Sequence, residues 1–164
     1  MTNAWGGRRR GHRVLLLFLL VVARAASADP PPPDGLERVT VVRVVDGDTV
    51  RVRRAGREEP VRLIGVDSPE AHDSDKLDRD ARRSRRSRTS IVALGRAAAA
   101  YTTRRLLGQT VGLALDTESH DRYGRLLAYV WLDDGTLFNA ALLRDGYAQP
   151  LTIAPNVRYA PLFR

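Results

Sequence analysis

Three short segments hold the residues of this chain best equipped for chemistry. They are Val45-Asp46-Gly47-Asp48-Thr49-Val50, Arg62-Leu63-Ile64-Gly65-Val66-Asp67-Ser68-Pro69-Glu70, and Asp121-Arg122-Tyr123-Gly124-Arg125. Asp48 and Asp67 offer carboxylate oxygens at the ends of different apolar stretches, and the Ser68 carbonyl, held extended by Pro69, offers a third hard oxygen. Calcium accepts carboxylates and carbonyls in a flexible shell. Zinc is disfavoured, because the chain has no cysteine and neither His72 nor His120 has a second histidine at ligand spacing. Arg62 lies in an apolar stretch with the parity of Ile64 and Val66. A guanidinium buried there is costly unless it meets an anion. That anion is either structural, Asp67 or Glu70, or a phosphate gripped through two parallel hydrogen bonds. Arg125 follows a Tyr-Gly turn. Two arginines on one phosphate stabilise the added charge of a pentacovalent transition state, and Glu70 can take a proton from water or orient it. Each feature has a plainer reading: Asp-Gly-Asp as a turn, Arg62 as half of an ion pair, Arg125 as a surface cation. Together they suit phosphodiester hydrolysis.

The elements that must position these residues read mainly as strands. Residues 38–45 are rich in valine, 49–53 alternate apolar and basic residues, and 61–66 form a third strand stopped by Ser68-Pro69. Residues 72–90 are dense in charge and read as a solvated loop or a charge-laced helical turn, or else as an arm touching a nucleic-acid backbone. Ile91, Leu94, Ala98 and Tyr101 fall at helical spacing, predicting a helix over 91–107 ended by Gly108. Strands are expected at 110–115 and 126–132. Asn139 is expected to cap a short helix over 140–145. Five strands with helices after the third and fifth predict a small closed barrel.

The amino terminus reads as a separate unit. Arg8, Arg9, Arg10 and Arg13 precede an apolar run from Val14 to Ala23, and Ala26-Ser27-Ala28 is a small-x-small cleavage site. This is the pattern of a secretory signal peptide, and the apolar run is too short to span a bilayer. Residues 1–28 are therefore expected to be removed near Ala28, leaving a secreted or periplasmic protein with no stable membrane anchor. Residues 29–37 form a proline-rich linker, and 38–164 form one domain. The five basic and no acidic residues of 1–28 account for most of the formal charge of +8, which falls to +3 without them. That is a modest bias towards anionic partners. Lys76 is the only lysine among 27 basic residues. The lack of cysteine excludes a disulfide framework.

With the three motifs in order and matching strand patterns between them, the chain resembles the staphylococcal nuclease (thermonuclease) family from about Val39 to Phe163. The resemblance implies a five-stranded OB-fold barrel packed with helices (α+β). It implies calcium held by Asp48, Asp67 and the Ser68 carbonyl, where the family usually has threonine, with Asp46 a nearby acid. It makes Arg62 and Arg125 phosphate-binding, Glu70 the general base, and Arg122 and Tyr123 contacts to a terminal phosphate. Hydrolysis of DNA and RNA to 3′-phosphate and 5′-hydroxyl ends is expected, by a monomer. Residues 156–164 look like the start of a final helix that family members usually continue, so that helix is expected to be cut short. The rival readings are a non-catalytic OB-fold nucleic-acid-binding module and a truncated, inactive homologue.

Overall fold

The computed structural model describes residues 29–164, so the expected signal peptide lies outside the described residues. Seven strands and three helices follow in the order β1 (Glu37–Val44), β2 (Thr49–Arg54), β3 (Arg57–Leu63), β4 (Val66–Asp67), α1 (Asp75–Ser84), α2 (Arg88–Leu106), β5 (Thr110–Ala114), β6 (Leu126–Trp131), α3 (Phe138–Arg144) and β7 (Gln149–Pro150). Five strands close into a barrel in the order β1-β2-β3-β6-β5, and β4 pairs with β7 in a separate two-stranded sheet. All barrel pairs are antiparallel except β3 with β6. This is the small barrel that the valine-rich and alternating stretches predict.

Period-two patterning fills the barrel. Val39, Val41, Val50, Val52, Val61, Leu63, Val111, Leu113, Leu126, Ala128 and Val130 point inward, joined by Tyr101 and Leu106 of α2 and Phe138, Ala141 and Leu142 of α3. Strand β6 is apolar on both faces because both are covered. Its other face carries Tyr129 and Trp131 into a second cluster with Ile64, Ala114, Leu137, Ala140 and Phe163.

Four details differ from expectation. The charged stretch after Glu70 is ordered into helix α1, where the Ser74 side chain accepts from the Leu77 amide and Leu77 is the one buried residue. Arg88, at the start of α2, pairs with both Asp73 and Asp78 and ties the two helices together. Leu94 is 43% exposed, and the buried face of α2 is instead Ile91, Gly95, Ala98, Tyr101, Thr102 and Leu106. Asn139 does not cap α3: it lies inside that helix, fully buried. Its carbonyl oxygen accepts from the Val130 amide at 2.9 Å, and its Nδ2 donates to the Ile64 carbonyl at 2.8 Å. Leu137 occupies the cap position instead, and its amide is met by the Asp29 carboxylate at 3.1 Å. Residues 158–163 form turns, not a helix. They still reach the core, because Phe163 packs where Gly65 has no side chain and Tyr159 meets Tyr129 edge-on at 4.6 Å. Among the described residues no helix is long and apolar enough to cross a membrane.

Candidate active site

The 46–48 turn and the segment after β4 are brought together by β3 and α2. Strand register sets Thr49 opposite Arg62, and the Leu63 amide donates to the Asp48 carbonyl at 2.9 Å. Helix α2 presses on both segments from one side. Gly47 packs so closely on Ala98 and Ser68 that an added Cβ would lie 2.7 Å from each of their Cβ atoms, and Thr102 Oγ1 donates to the Gly47 carbonyl at 2.7 Å. One turn earlier, a Cβ on Gly95 would lie 2.4 Å from the Glu70 carbonyl carbon. Both close approaches require glycine.

The result is a cluster of four expected residues. Asp48 is buried; its Oδ2 accepts from the Ser68 amide at 2.6 Å and lies 3.0 Å from Arg62 Nη1, while its Oδ1 accepts from Thr49 Oγ1 at 3.1 Å. Arg62 Nη2 reaches Asp67 Oδ1 at 3.3 Å, and Nη1 also donates to the Leu63 carbonyl at 3.0 Å. Asp46 accepts from the Asp48 amide at 3.1 Å. Burial raises the Asp46 carboxyl to about 7, assisted by the charge of the Asp48 carboxylate and a side-chain hydrogen bond with it, and opposed by the Asp48 amide and Arg62. The arginine in this strand is thus paired with Asp48 and Asp67, not with Glu70.

A residue that pattern reading passed over stands beside them. Lys76 Nζ donates to the Ser68 carbonyl at 2.8 Å and lies 3.4 Å from Asp67 Oδ1 and 3.4 Å from Asp80 Oδ2. Burial opposes its charge, but Asp67, Asp80, Asp48 and Glu70 outweigh that cost and raise its pKa above the ordinary value. The donors converge on a cation, and they are the hard oxygens that calcium takes. Among the described residues no group of three or more His, Cys, Asp or Glu side chains is gathered as a metal site. Two carboxylates and a carbonyl offer a cation three hard oxygens, and a calcium ion there would take the rest of its shell from water.

The third motif forms a separate group facing Arg62. Asp121 organises it, accepting from the Tyr123 amide at 2.9 Å, the Arg125 amide at 3.0 Å and Arg125 Nε at 2.7 Å. Burial alone would raise the Asp121 pKa; these bonds and the Arg125 charge outweigh it and lower the pKa below its ordinary value. Arg122 and Arg125 stack on the Tyr123 ring at 4.8 and 5.5 Å, and Tyr123 is 68% exposed. Arg62, Arg79, Arg122, Tyr123 and Arg125 line one cavity of about 650 Å³. Glu70 is half-buried and outside that lining. Among the described residues its side chain has no hydrogen-bond or ion-pair partner, and what fixes it is its backbone against Gly95.

The profile of the family described as "Staphylococcal nuclease homologue" matches residues 60–163, more than half of the chain. The chain belongs to the staphylococcal nuclease family. Within that family it is 40% identical over 123 residues to a protein named thermonuclease from Staphylococcus intermedius, covering 75% of this chain and 65% of the relative. It is 38% identical over 119 residues to the thermonuclease of Staphylococcus hyicus, covering 73% and 62%. It is 30% identical over 131 residues to endonuclease YncB of Bacillus subtilis (strain 168), covering 79% and 56%. The chain thus spans less than two thirds of the length of these nuclease relatives.

Beyond Lys76, sequence reading missed Gly95, Thr102 and Arg79. A signal existed for the first. Glycine costs a helix about 1 kcal/mol relative to alanine. One glycine beside an alanine run therefore marks a place where a side chain does not fit.

Proposed function

We propose that this chain is a secreted, calcium-dependent nuclease that hydrolyses phosphodiester bonds of DNA and RNA as a monomer, leaving 3′-phosphate and 5′-hydroxyl ends. One observation carries the reading. Arg62 belongs to both halves of the site: it bonds the carboxylates of Asp48 and Asp67, and it lines the cavity shared with Arg122, Tyr123 and Arg125. A phosphate held by Arg62 and Arg125 therefore lies beside the oxygens suited to a divalent cation. The nuclease names of the relatives support the same reading.

Arg62 has five N–H donors in a planar fork. The Leu63 carbonyl takes one Nη1 hydrogen and Asp67 one Nη2 hydrogen, while Asp48 pairs with Nη1 by charge, which leaves Nε and one hydrogen on each Nη outside those two bonds and able to meet a phosphate oxygen. Asp121 holds Arg125 from the far side, so its guanidinium is aimed with little loss of rotamer freedom. Tyr123 and Arg122, exposed at the rim, receive a terminal phosphate. Glu70 accepts a proton from the attacking water as the new P–O bond forms and the bond to the 5′ oxygen breaks. The 5′ oxygen leaves with a proton from solvent. The charge that builds on the equatorial oxygens is met by Arg62 and Arg125. When bound at Asp48, Asp67 and Ser68, calcium supplies Lewis-acid polarisation of a phosphoryl oxygen.

The test is hydrolysis of single-stranded DNA and of RNA in calcium and then in excess chelator, with end-group labelling of the products. Cleavage should stop with chelator, return with calcium, and give ends that polynucleotide kinase labels at the 5′ position without prior phosphatase. Full activity in chelator, or 5′-phosphate ends, refutes the mechanism. Mass spectrometry of exported protein should find a new amino terminus within a few residues of Asp29.

A further inference from the structure

Helix α1 delivers one side chain into the candidate cation site. Leu77 is 2% exposed and anchors the first turn of α1, and Lys76 beside it reaches the Ser68 carbonyl and Asp67. Two of the three oxygen donors suited to calcium therefore already hold a positive charge. The reason is electrostatic. Asp48 and Asp67 are drawn together by the fold, and Arg62 brings one positive charge for two carboxylates. A second cation is needed to keep the cluster assembled when no metal is bound. An ammonium balances that charge with three N–H donors, but it cannot gather six to eight oxygens at about 2.3–2.6 Å as calcium does. The two cations also cannot share one corner.

Asp80 gives the ammonium somewhere to go. It lies one turn along α1, 3.4 Å from Nζ, and it lines a cavity together with Asp67 and Ser68. We propose that the Lys76 ammonium is a tethered stand-in cation: it fills the Asp67–Ser68 corner in the metal-free protein, moves towards Asp80 and solvent when calcium binds, and so sets the calcium affinity of the site. The inference rests on the calcium reading above. Being tethered, the ammonium competes at a high effective concentration. Apparent affinity falls by the fraction of protein in the competent state.

The single lysine makes the idea directly measurable. Acetylation of the intact protein with an amine-reactive reagent, read by peptide mass spectrometry, reports Lys76 separately from the amino terminus. Calcium should raise the Lys76 labelling rate several-fold and leave the amino-terminal rate unchanged. Lys76→Gln should bind calcium about tenfold more tightly in calorimetry, as expected if the site is free in about a tenth of wild-type molecules. Calcium binding to the wild type with unchanged Lys76 labelling overturns the stand-in role and leaves the calcium reading intact. So does unchanged or weaker binding by Lys76→Gln. If neither protein binds calcium, both readings fall. The labelling arm needs no variant, so a poorly folded Lys76→Gln does not shield the proposal.

Discussion

Gly95→Ala should slow hydrolysis far more than it destabilises the protein. Gly95 sits inside α2, where alanine is favoured over glycine by about 1 kcal/mol. Judged on the helix alone, the substitution stabilises. The structure opposes that gain. The new methyl would lie 2.4 Å from the Glu70 carbonyl carbon and oxygen and 2.5 Å from the Ala71 nitrogen. Comfortable carbon contacts are about 3.5–4.0 Å. Segment 70–71 must therefore retreat by about 1 Å, since these are backbone atoms with no rotamer to change. Overpacking of this kind costs about 1–3 kcal/mol. Set against the helix gain, the net loss is between about zero and 2 kcal/mol. Catalysis is less forgiving, because a displacement of about 1 Å in a reacting group costs about 10²-fold in rate. Urea unfolding should thus show a small loss, while kcat on single-stranded DNA falls about 100-fold. Ala97→Gly, on the exposed face of α2, should give the reverse pattern: about 1 kcal/mol of stability lost and the rate kept. Parental kcat in a folded Gly95→Ala protein would refute the claim that this contact positions Glu70.

Further outcomes follow from the same geometry. Arg125→Ala should lower kcat about 10²-fold, as the loss of a donor to transition-state charge does; a parental rate in the folded variant removes Arg125 from the mechanism. Asp121→Asn should destabilise at pH 6 but not in strong acid. The Asp121 pKa is lowered on folding, so its stabilisation is present above the unfolded value and is lost as pH falls through the folded one. The gap between variant and parent in urea melts should close below about pH 4. A gap that persists at pH 2 assigns the effect to packing. Phe163→Ala should cost about 3–5 kcal/mol, because Phe163 is buried on Gly65 and Tyr129. A melting temperature within a degree or two of the parent would show that the turns after Val157 do not hold the second core.

Much of the barrel is legible in the sequence, because strand alternation and turn glycines are local signals. Val50 and Val52 alternate with Arg51 and Arg53, and the barrel buries the valines. Asp48, Asp67, Ser68 and Arg62 are candidates from their places at strand ends, and the structure gathers those four. What could not be read depends on contacts between distant segments. Asn139 has the type of a helix cap, yet its amide matches two backbone groups, on β6 and after β3, that no local pattern places beside it. Leu94 fits the helical period but falls on the exposed edge of α2, since Gly95, not Leu94, faces the Glu70 backbone. Lys76 lies in a run of charges that reads as solvated. Only the docking of α1, through Leu77 and the Arg88 pairs, turns one member of that run inward.

The two halves of the site also differ in stiffness, and the difference suits the proposed chemistry. On the cation side, Asp48 is held through its backbone amide, its carbonyl and both carboxylate oxygens. The turn that carries it is clamped by Ala98 and Thr102 on the helix that also positions Glu70 through Gly95. Groups that must stay in register to about half an ångström are best carried on such packed elements. The substrate side is looser: Tyr123 is largely exposed, and among the described residues Arg122 bonds only its neighbour's hydroxyl, at 2.6 Å. A phosphate arriving with varied sugars and bases needs that tolerance, whereas attack on phosphorus does not. Among the described residues Arg62 is the charged side chain that both halves share. Its pairing with buried Asp48 joins the tolerant grip to the more rigid, proposed reaction centre.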